Sequence, residues 1–354
     1  MLAKALSFGM HGLEAYPVTI EVDVTKGLPS FTIVGLPDSA IRESKERVRS
    51  AIKNSGFNFP QGRITVNLAP ADTKKEGPSF DLALALAILS ASEQVPAASL
   101  ERYAILGELS LSGGIKSVTG SLSAALALLF SDNKPEGILV PKPNASEAAL
   151  AKGVKVFPLV SLNEAVLFLQ ASDSIKPFRP ANKRNKAPDE TNSGLDFEDV
   201  KGQSHVKRGL EIASAGGHNA ILIGPPGSGK TMLAHRFSSI LPPMTQEESL
   251  EVTKIHSVMG MVSSKNGLMD QRPFRSPHHT ASNISLVGGG TDPKPGEVTL
   301  AHNGILFLDE LPEFTRATIE CLRQPLEDHH VTIARASKTL KFPARFTLLA
   351  AMNP

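Results

Sequence analysis

The chain has 354 residues, 41% of them hydrophobic and 20% charged, which predicts two or three packed domains of ordinary size. A formal net charge of +2 excludes a global polyanion-binding signal, so any basic surface is local. The single cysteine, Cys321, excludes an internal disulfide framework and a cysteine-rich zinc site within these residues.

Residues 1–171 read as one α/β domain. VTIEVDV (18–24) and FTIVGL (31–36) look like strands around a turn at Gly27 and Pro29. Asp38 then caps a helix whose apolar stripe is Ile41, Val48, Ala51 and Ile52, with Gly56 just past its end. RITVNL (63–68) alternates like a strand. Leu82 to Leu89 is apolar on every side, which predicts a buried helix. AILGEL (104–109), GILVP (137–141) and VKVFPL (154–159) add strands, with helices near 121–131, 145–152 and 161–170.

Residues 172–194 are polar and carry three prolines, which predicts a linker. Lys176, Arg179, Lys183, Arg184 and Lys186 run through it without an acid among them. That run is either a solvated tether or a hinge that touches a nucleic-acid backbone. A second domain occupies 195–354, and its first strand is NAILIG (219–224).

GPPGSGKT places Gly224, Pro225, Pro226, Gly227, Ser228, Gly229, Lys230 and Thr231 in the pattern G-x-x-x-x-G-K-[ST], between an apolar strand and a helix. Such a loop turns backbone N–H groups toward phosphates at a helix N-terminus. Lys230 is the β/γ-phosphate contact, Thr231 a Mg²⁺ ligand, and Met232 the adjoining helix residue. Met232, Leu233, Phe237 and Ile240 are expected on that helix's inner face. GILFLDE (304–310) supplies a buried strand ending in Asp309, the Mg²⁺-side carboxylate, and Glu310, the candidate base. FTLLAAMN (346–353) ends in Asn353, which either reaches the γ-phosphate and the lytic water or is a turn residue. The cofactors expected are ATP and Mg²⁺.

These motifs resemble an AAA+ ATPase, with Walker A at 224–231, Walker B at 305–310 and sensor 1 at Asn353. RPFRSPHHTASNISLVGGG (272–290), PGEVTLAHNGILFLDELPEF (295–314) and LRQPLEDHHVTIARA (322–336) narrow the resemblance to the magnesium-chelatase-like branch. Within that branch the chain is similar to the ComM (YifB) family. The resemblance implies a Lon-protease-like N-terminal α/β domain of the ribosomal-protein-S5 type. It further implies an AAA+ αβα core that lacks its arginine finger and helical lid within these residues, and hence weak turnover and poor ring stability for them alone. The family is regarded as a hexameric ATP-driven DNA motor that acts in branch migration during natural transformation. The partners implied are single-stranded and branched DNA and further copies of the chain, in a bacterial cytoplasm. No secretory signal and no apolar run of about 18 residues is present, so no membrane segment is expected.

VTIARASKTLKFPARF (331–346) reads as a hairpin with Arg335, Lys338 and Lys341 near its tip. It is either a phosphate-contacting pore element or an ordinary exposed hairpin. Residues 263–279 resemble the family's helix-2 insertion. His278 and His279 there are expected to point apart on a strand and to pack or hydrogen-bond rather than bind zinc. Arg323 either acts across a subunit boundary or makes a surface salt bridge. Lys74 and Lys75 are further candidates for DNA contact.

EGPSFDLALALAI resembles the segment that carries the Lon serine and puts Ser79 at that place. A Ser-Lys dyad needs a lysine in hydrogen-bond reach. The resemblance puts that lysine after the GELSL strand (107–111), where this chain has Leu122. Lys116 lies earlier, in a turn that faces solvent, and Phe80 and Asp81 replace the small residues that follow the Lon serine. Ser79 is therefore expected to be an N-cap. The competing functions are an ATP-dependent protease or unfoldase, and a metal-insertion ATPase. In a further alternative the N-terminal domain serves only for docking.

Overall fold

The computed structural model of the chain describes residues 1–131, 135–171, 174–180, 195–262, 267–290, 293–335 and 338–354. Two compact units result, Met1–Pro180 with Gly260–Gly267, and Ala181–Met259 with Leu268–Pro354. Both are mixed α/β structures whose sheets contain parallel strands. No described helix is long and apolar enough to cross a membrane.

In the first unit the strands are β1 (Leu2–His11), β2 (Glu14–Thr25), β3 (Ser30–Val34), β4 (Arg63–Ala69) and β5 (Tyr103–Ile105). They continue with the short pair β6 (Glu108–Leu109) and β7 (Ile115–Lys116), then β8 (Gly137–Pro141) and β9 (Val156–Leu159). Seven of them form one sheet in the order β3-β4-β2-β1-β5-β8-β9. β2 and β3 follow one another in sequence but β4 lies between them, antiparallel to β2 and parallel to β3. Helix α1 (Ser39–Asn54) begins where Asp38 Oδ1 accepts from the Ile41 amide at 2.8 Å, and it buries Ile41, Val48, Ala51 and Ile52. Helix α2 (Asp81–Ala91) is buried at every residue, packed against β1, β2 and α1. A helix with no exposed face forms the centre of a core, where burial of each large side chain contributes about 1.5–3 kcal/mol.

Ser79 does not cap α2. It lies inside a 3₁₀ turn, Pro78–Phe80, that runs straight into the helix, and Phe80 at the cap position offers no side-chain acceptor. The turn is held through its backbone instead. Gly107 N donates to Ser79 O at 2.9 Å, and Leu82 N donates to Gly107 O at 3.0 Å. Leu122 is fully buried, while Lys116 is exposed and pairs with Glu108 at 3.7 Å. Lys75 is no surface cation: it is fully buried, its Nζ donates to Thr73 O at 2.7 Å, and burial pushes its pKa below the ordinary lysine value. Lys74 pairs with Glu76 at 2.9 Å.

Part of the expected linker lies on this first unit. Ile175 packs against its core and Phe178 N donates to Val156 O at 2.7 Å. Lys183, Arg184 and Lys186 lie outside the described residues.

The second unit's strands are β10 (Ala220–Ile223), β11 (Phe274–Arg275), the small pair β12 (Gly288–Gly289) and β13 (Lys294–Pro295), and β14 (Ile305–Leu308). The antiparallel pair β15 (His330–Arg335) and β16 (Lys338–Pro343) precedes β17 (Thr347–Met352). The main sheet has the order β10-β17-β14-β11, with every neighbouring pair parallel. β11 falls within the stretch expected to be an insertion, yet Phe274 and Arg275 pair in register with Ile305 and Leu306 as an edge strand. The helix Lys230–Phe237 buries Leu233 and Phe237 against Ile305, Phe307 and Leu349, and Ile240 packs beside them. Met232, expected on that inner face, is 40% exposed, because the helix turns this position away from the sheet.

Candidate nucleotide-binding site

Four parallel strands bring their C-terminal ends to one edge of the sheet, the edge where open α/β sheets gather ligand chemistry. The register does the gathering. Ile223 lies beside Met352, so the loop from Gly224 and the residue Asn353 leave the sheet together. Leu308 lies beside Ala350, so Asp309 and Glu310 leave at the same edge. Residues separated by more than 120 positions thus meet without any long side chain having to reach.

The loop after β10 turns through Gly227 and Gly229, both at positive φ (78° and 86°), which a Cβ disfavours. A Cβ on Gly224 would stand 2.9 Å from Ser228 Oγ. Lys230 Nζ donates to Gly224 O at 2.7 Å, to Pro225 O at 3.0 Å and to Asn353 Oδ1 at 3.0 Å. An ammonium has three N–H donors, so reaching a phosphate means exchanging one of these acceptors for a phosphate oxygen. Asn353 Oδ1 thus meets that ammonium directly at the sheet edge. Gln203 reaches the loop from outside the motif, its Nε2 donating to Ser228 O at 3.0 Å. No sequence pattern marked Gln203.

Thr231 Oγ1 donates to Asp309 Oδ2 at 2.7 Å. A hydroxyl and a carboxylate side by side are hard oxygen donors of the kind Mg²⁺ takes together with substrate phosphates. The residues therefore fit a Mg²⁺–nucleotide: glycines without Cβ atoms in the way, a cation, and two adjacent oxygens.

Glu310 adopts a left-handed backbone (φ 52°), uncommon for a residue other than glycine, and its side chain is 62% exposed. Its carboxylate Oε2 stands 3.8 Å from His279 Nδ1. The two histidines do not point apart on a strand. They follow β11, and their rings stack with centroids 4.1 Å apart, while His278 Nδ1 lies 2.8 Å from Thr280 Oγ1. His279 also meets Phe314 edge-on at 6.5 Å. The sequence shows the histidine pair but not that β11 delivers it to the edge where Glu310 stands.

β15 and β16 form the hairpin read from the sequence, with Arg335 paired in register with Lys338. The side chains of Arg335 and Lys338 lie outside the described residues, and Lys341 is exposed. Arg323 is exposed and pairs with Glu327 at 3.0 Å and Glu320 at 3.8 Å.

Comparison with known proteins fits this geometry. A family model described as magnesium chelatase subunit ChlI matches residues 196–354, and a second, subunit ChlI of Mg-chelatase, matches residues 20–144. Competence protein ComM of Haemophilus influenzae is 46% identical over 354 residues, which is all of this chain and 69% of that protein. The chain belongs to the ComM (YifB) family. The uncharacterized protein YifB of Salmonella typhimurium is 48% identical over 343 residues, 97% of this chain and 66% of that protein. The chain thus spans about two thirds of the length of these family members. Lon protease 2 of Bacillus subtilis is 27% identical over 150 residues, 40% of this chain, which supports the Lon-like relation read from the segment around Ser79.

Proposed function

We propose that this chain binds and hydrolyses ATP with Mg²⁺ as part of an ATP-driven DNA motor, a ring-forming, hexameric branch-migration helicase of natural transformation. The observation that carries the reading is the meeting of two hydrogen-bonded pairs, Lys230 with Asn353 and Thr231 with Asp309, at one sheet edge. Family membership and the competence name of one relative support the DNA part.

In this reading backbone amides from Gly224 to Thr231, with Met232 adjoining, bind the phosphates, and the N-terminus of the helix from Lys230 favours their charge. Lys230 moves from its loop carbonyls to the β- and γ-phosphates. Thr231 and Asp309 would hold Mg²⁺, which supplies charge neutralisation at the phosphates when bound. Glu310 receives the proton of the attacking water at a carboxylate oxygen, and Asn353 orients that water or the γ-phosphate. The hairpin residues Arg335, Lys338 and Lys341 contact DNA phosphates.

Two measurements test the reading. Lys230→Ala should lower nucleotide affinity at least tenfold, and retained affinity would discard the phosphate-loop assignment. ATP turnover should rise with single-stranded or branched DNA and not with casein. Stimulation by casein alone would favour a protein-processing motor.

A further inference from the structure

Helix α1 carries a row of cations beside its buried face. Arg42, Lys45, Arg49 and Lys53 stand at i, i+3, i+7 and i+11, spacings that a 3.6-residue repeat brings into one line. Arg42, Arg49 and Lys53 are exposed and Lys45 is half-buried. Among the described residues none of the four is in an ion pair. Arg47, on the other side of the helix's buried face, is by contrast held by Asp81 at 2.8 Å. The helix's acids are Glu43, turned away from the row, and Glu46, at its border.

Two of the cations are seated on aromatic rings. Lys45 Nζ lies 6.0 Å from the Phe31 centroid and the Arg49 guanidinium 5.6 Å from the Phe59 centroid. The rings themselves are 6.3 Å apart. Two of the row's four cations thus sit on two partly buried, neighbouring rings. The α1 row alone is ~16 Å long at 1.5 Å per residue.

We propose that this face of the first unit binds the backbone of single-stranded DNA, with α1 contacting phosphates and Arg49 offering a stacking plane for a base. Unpaired exposed cations retain their charge for phosphates, and their seating on rings reduces the freedom lost on binding. A planar guanidinium on an aromatic ring is a platform for a base; a lipid headgroup has no planar group to match it. The proposal deepens the DNA reading above and rests on it for the identity of the polymer.

Fluorescence anisotropy of the 354-residue chain with labelled 20-nucleotide oligo-dT, across a salt series, tests it. Each single-strand phosphate contact contributes about 0.7 to the slope of log affinity against log salt. Joint R42A, K45A, R49A and K53A should weaken binding at least tenfold and flatten the slope by about 3. Arg49→Lys should keep the slope and weaken binding about fivefold, the size of a modest stacking loss. Neutralising Lys142, Lys152 and Lys155, exposed elsewhere on the same unit, should change affinity less than twofold. Unchanged affinity in the row variant, an equal loss in the control variant, or binding to phosphatidylserine vesicles in preference to the oligonucleotide would overturn the proposal. Loss on neutralising Arg335, Lys338 and Lys341 with an unaffected row variant would remove this surface and keep the DNA motor. No binding by the unaltered chain would remove both.

Discussion

Thr231 donates its hydroxyl to Asp309 at 2.7 Å, joining the first turn of the helix after the glycine loop to the end of β14 across 78 positions of sequence. The bond pre-positions two oxygens that a divalent cation would take as ligands. Asp309→Asn keeps the size and an acceptor but removes the charge. Nucleotide affinity measured with Mg²⁺ should fall about 10–100-fold, the usual consequence of damaging a metal site. Affinity without Mg²⁺ should stay within twofold. If Mg²⁺ still enhanced binding in that variant, the cation would have to be held elsewhere.

Glu310 has His279 as its ionisable neighbour at 3.8 Å, and His279 is braced by His278 and Phe314. A carboxylate 62% exposed on a left-handed backbone has little else to fix its direction. We expect His279→Ala to lower kcat for ATP about tenfold while KM changes less than twofold, with His279→Gln recovering part of the loss. A change confined to KM would mean that His279 shapes binding and does not orient Glu310.

Much of this site is legible in the sequence because its chemistry is written in short runs. GPPGSGKT follows directly on β10 and GILFLDE contains the end of β14, each holding its candidate groups within a few residues, so local pattern suffices. His279 and Gln203 are not legible, since their roles come from where β11 and the loop at Gly202 arrive in three dimensions. The fold shows the same division. α2 is recognisable because apolar residues surround it, and α1 because Asp38 and its stripe agree. β1 is the most central strand that pattern reading leaves unassigned: its inward positions are small or polar (Ala3, Ala5, Ser7), so the alternation carries little hydrophobic contrast. Ser79 misleads for a related reason. A serine before an apolar helix looks like a cap, but the preceding proline sets a 3₁₀ turn that carries the chain into the helix without one.

Asp81 is the buried anchor of the first unit. It accepts from Ser44 Oγ, from Arg47 Nε at 2.8 Å and from the Leu109 amide at 3.3 Å. The hydrogen bond that Arg47 donates to Asp81 also raises the Arg47 pKa above its ordinary value. Removing one partner of a buried ionic group strands the others, at a cost of about 3–5 kcal/mol. Asp81→Ala should therefore lower the first unit's stability by roughly that amount in urea denaturation. A loss below about 1 kcal/mol, the size of an ordinary hydrogen bond, would mean that solvent replaces the carboxylate readily.

The second unit should lose stability on mild acidification through two buried histidines. His302 sits with Nε2 3.1 Å from Glu251 Oε2, and its Nδ1 accepts the Arg345 backbone N–H at 3.1 Å. His256 Nε2 lies 3.2 Å from Leu300 O. Burial pushes both pKa values below the ordinary histidine value. In the unfolded chain both titrate near about 6.5. Their full contribution is thus present above that pH. As pH falls below it, the unfolded state takes up protons first, and stability declines by up to about 1.4 kcal/mol per pH unit for each histidine until its folded pKa is reached. Protonating His302 at Nδ1 also removes the lone pair that accepts the Arg345 amide. His302→Asn offers Oδ1 in place of that nitrogen and does not titrate. Thermal melting from pH 8 to pH 5 should show the unaltered chain's Tm falling below pH 6.5, with a visibly shallower fall in the variant. Parallel curves would assign the acid sensitivity to other groups and leave His302 a purely structural contact.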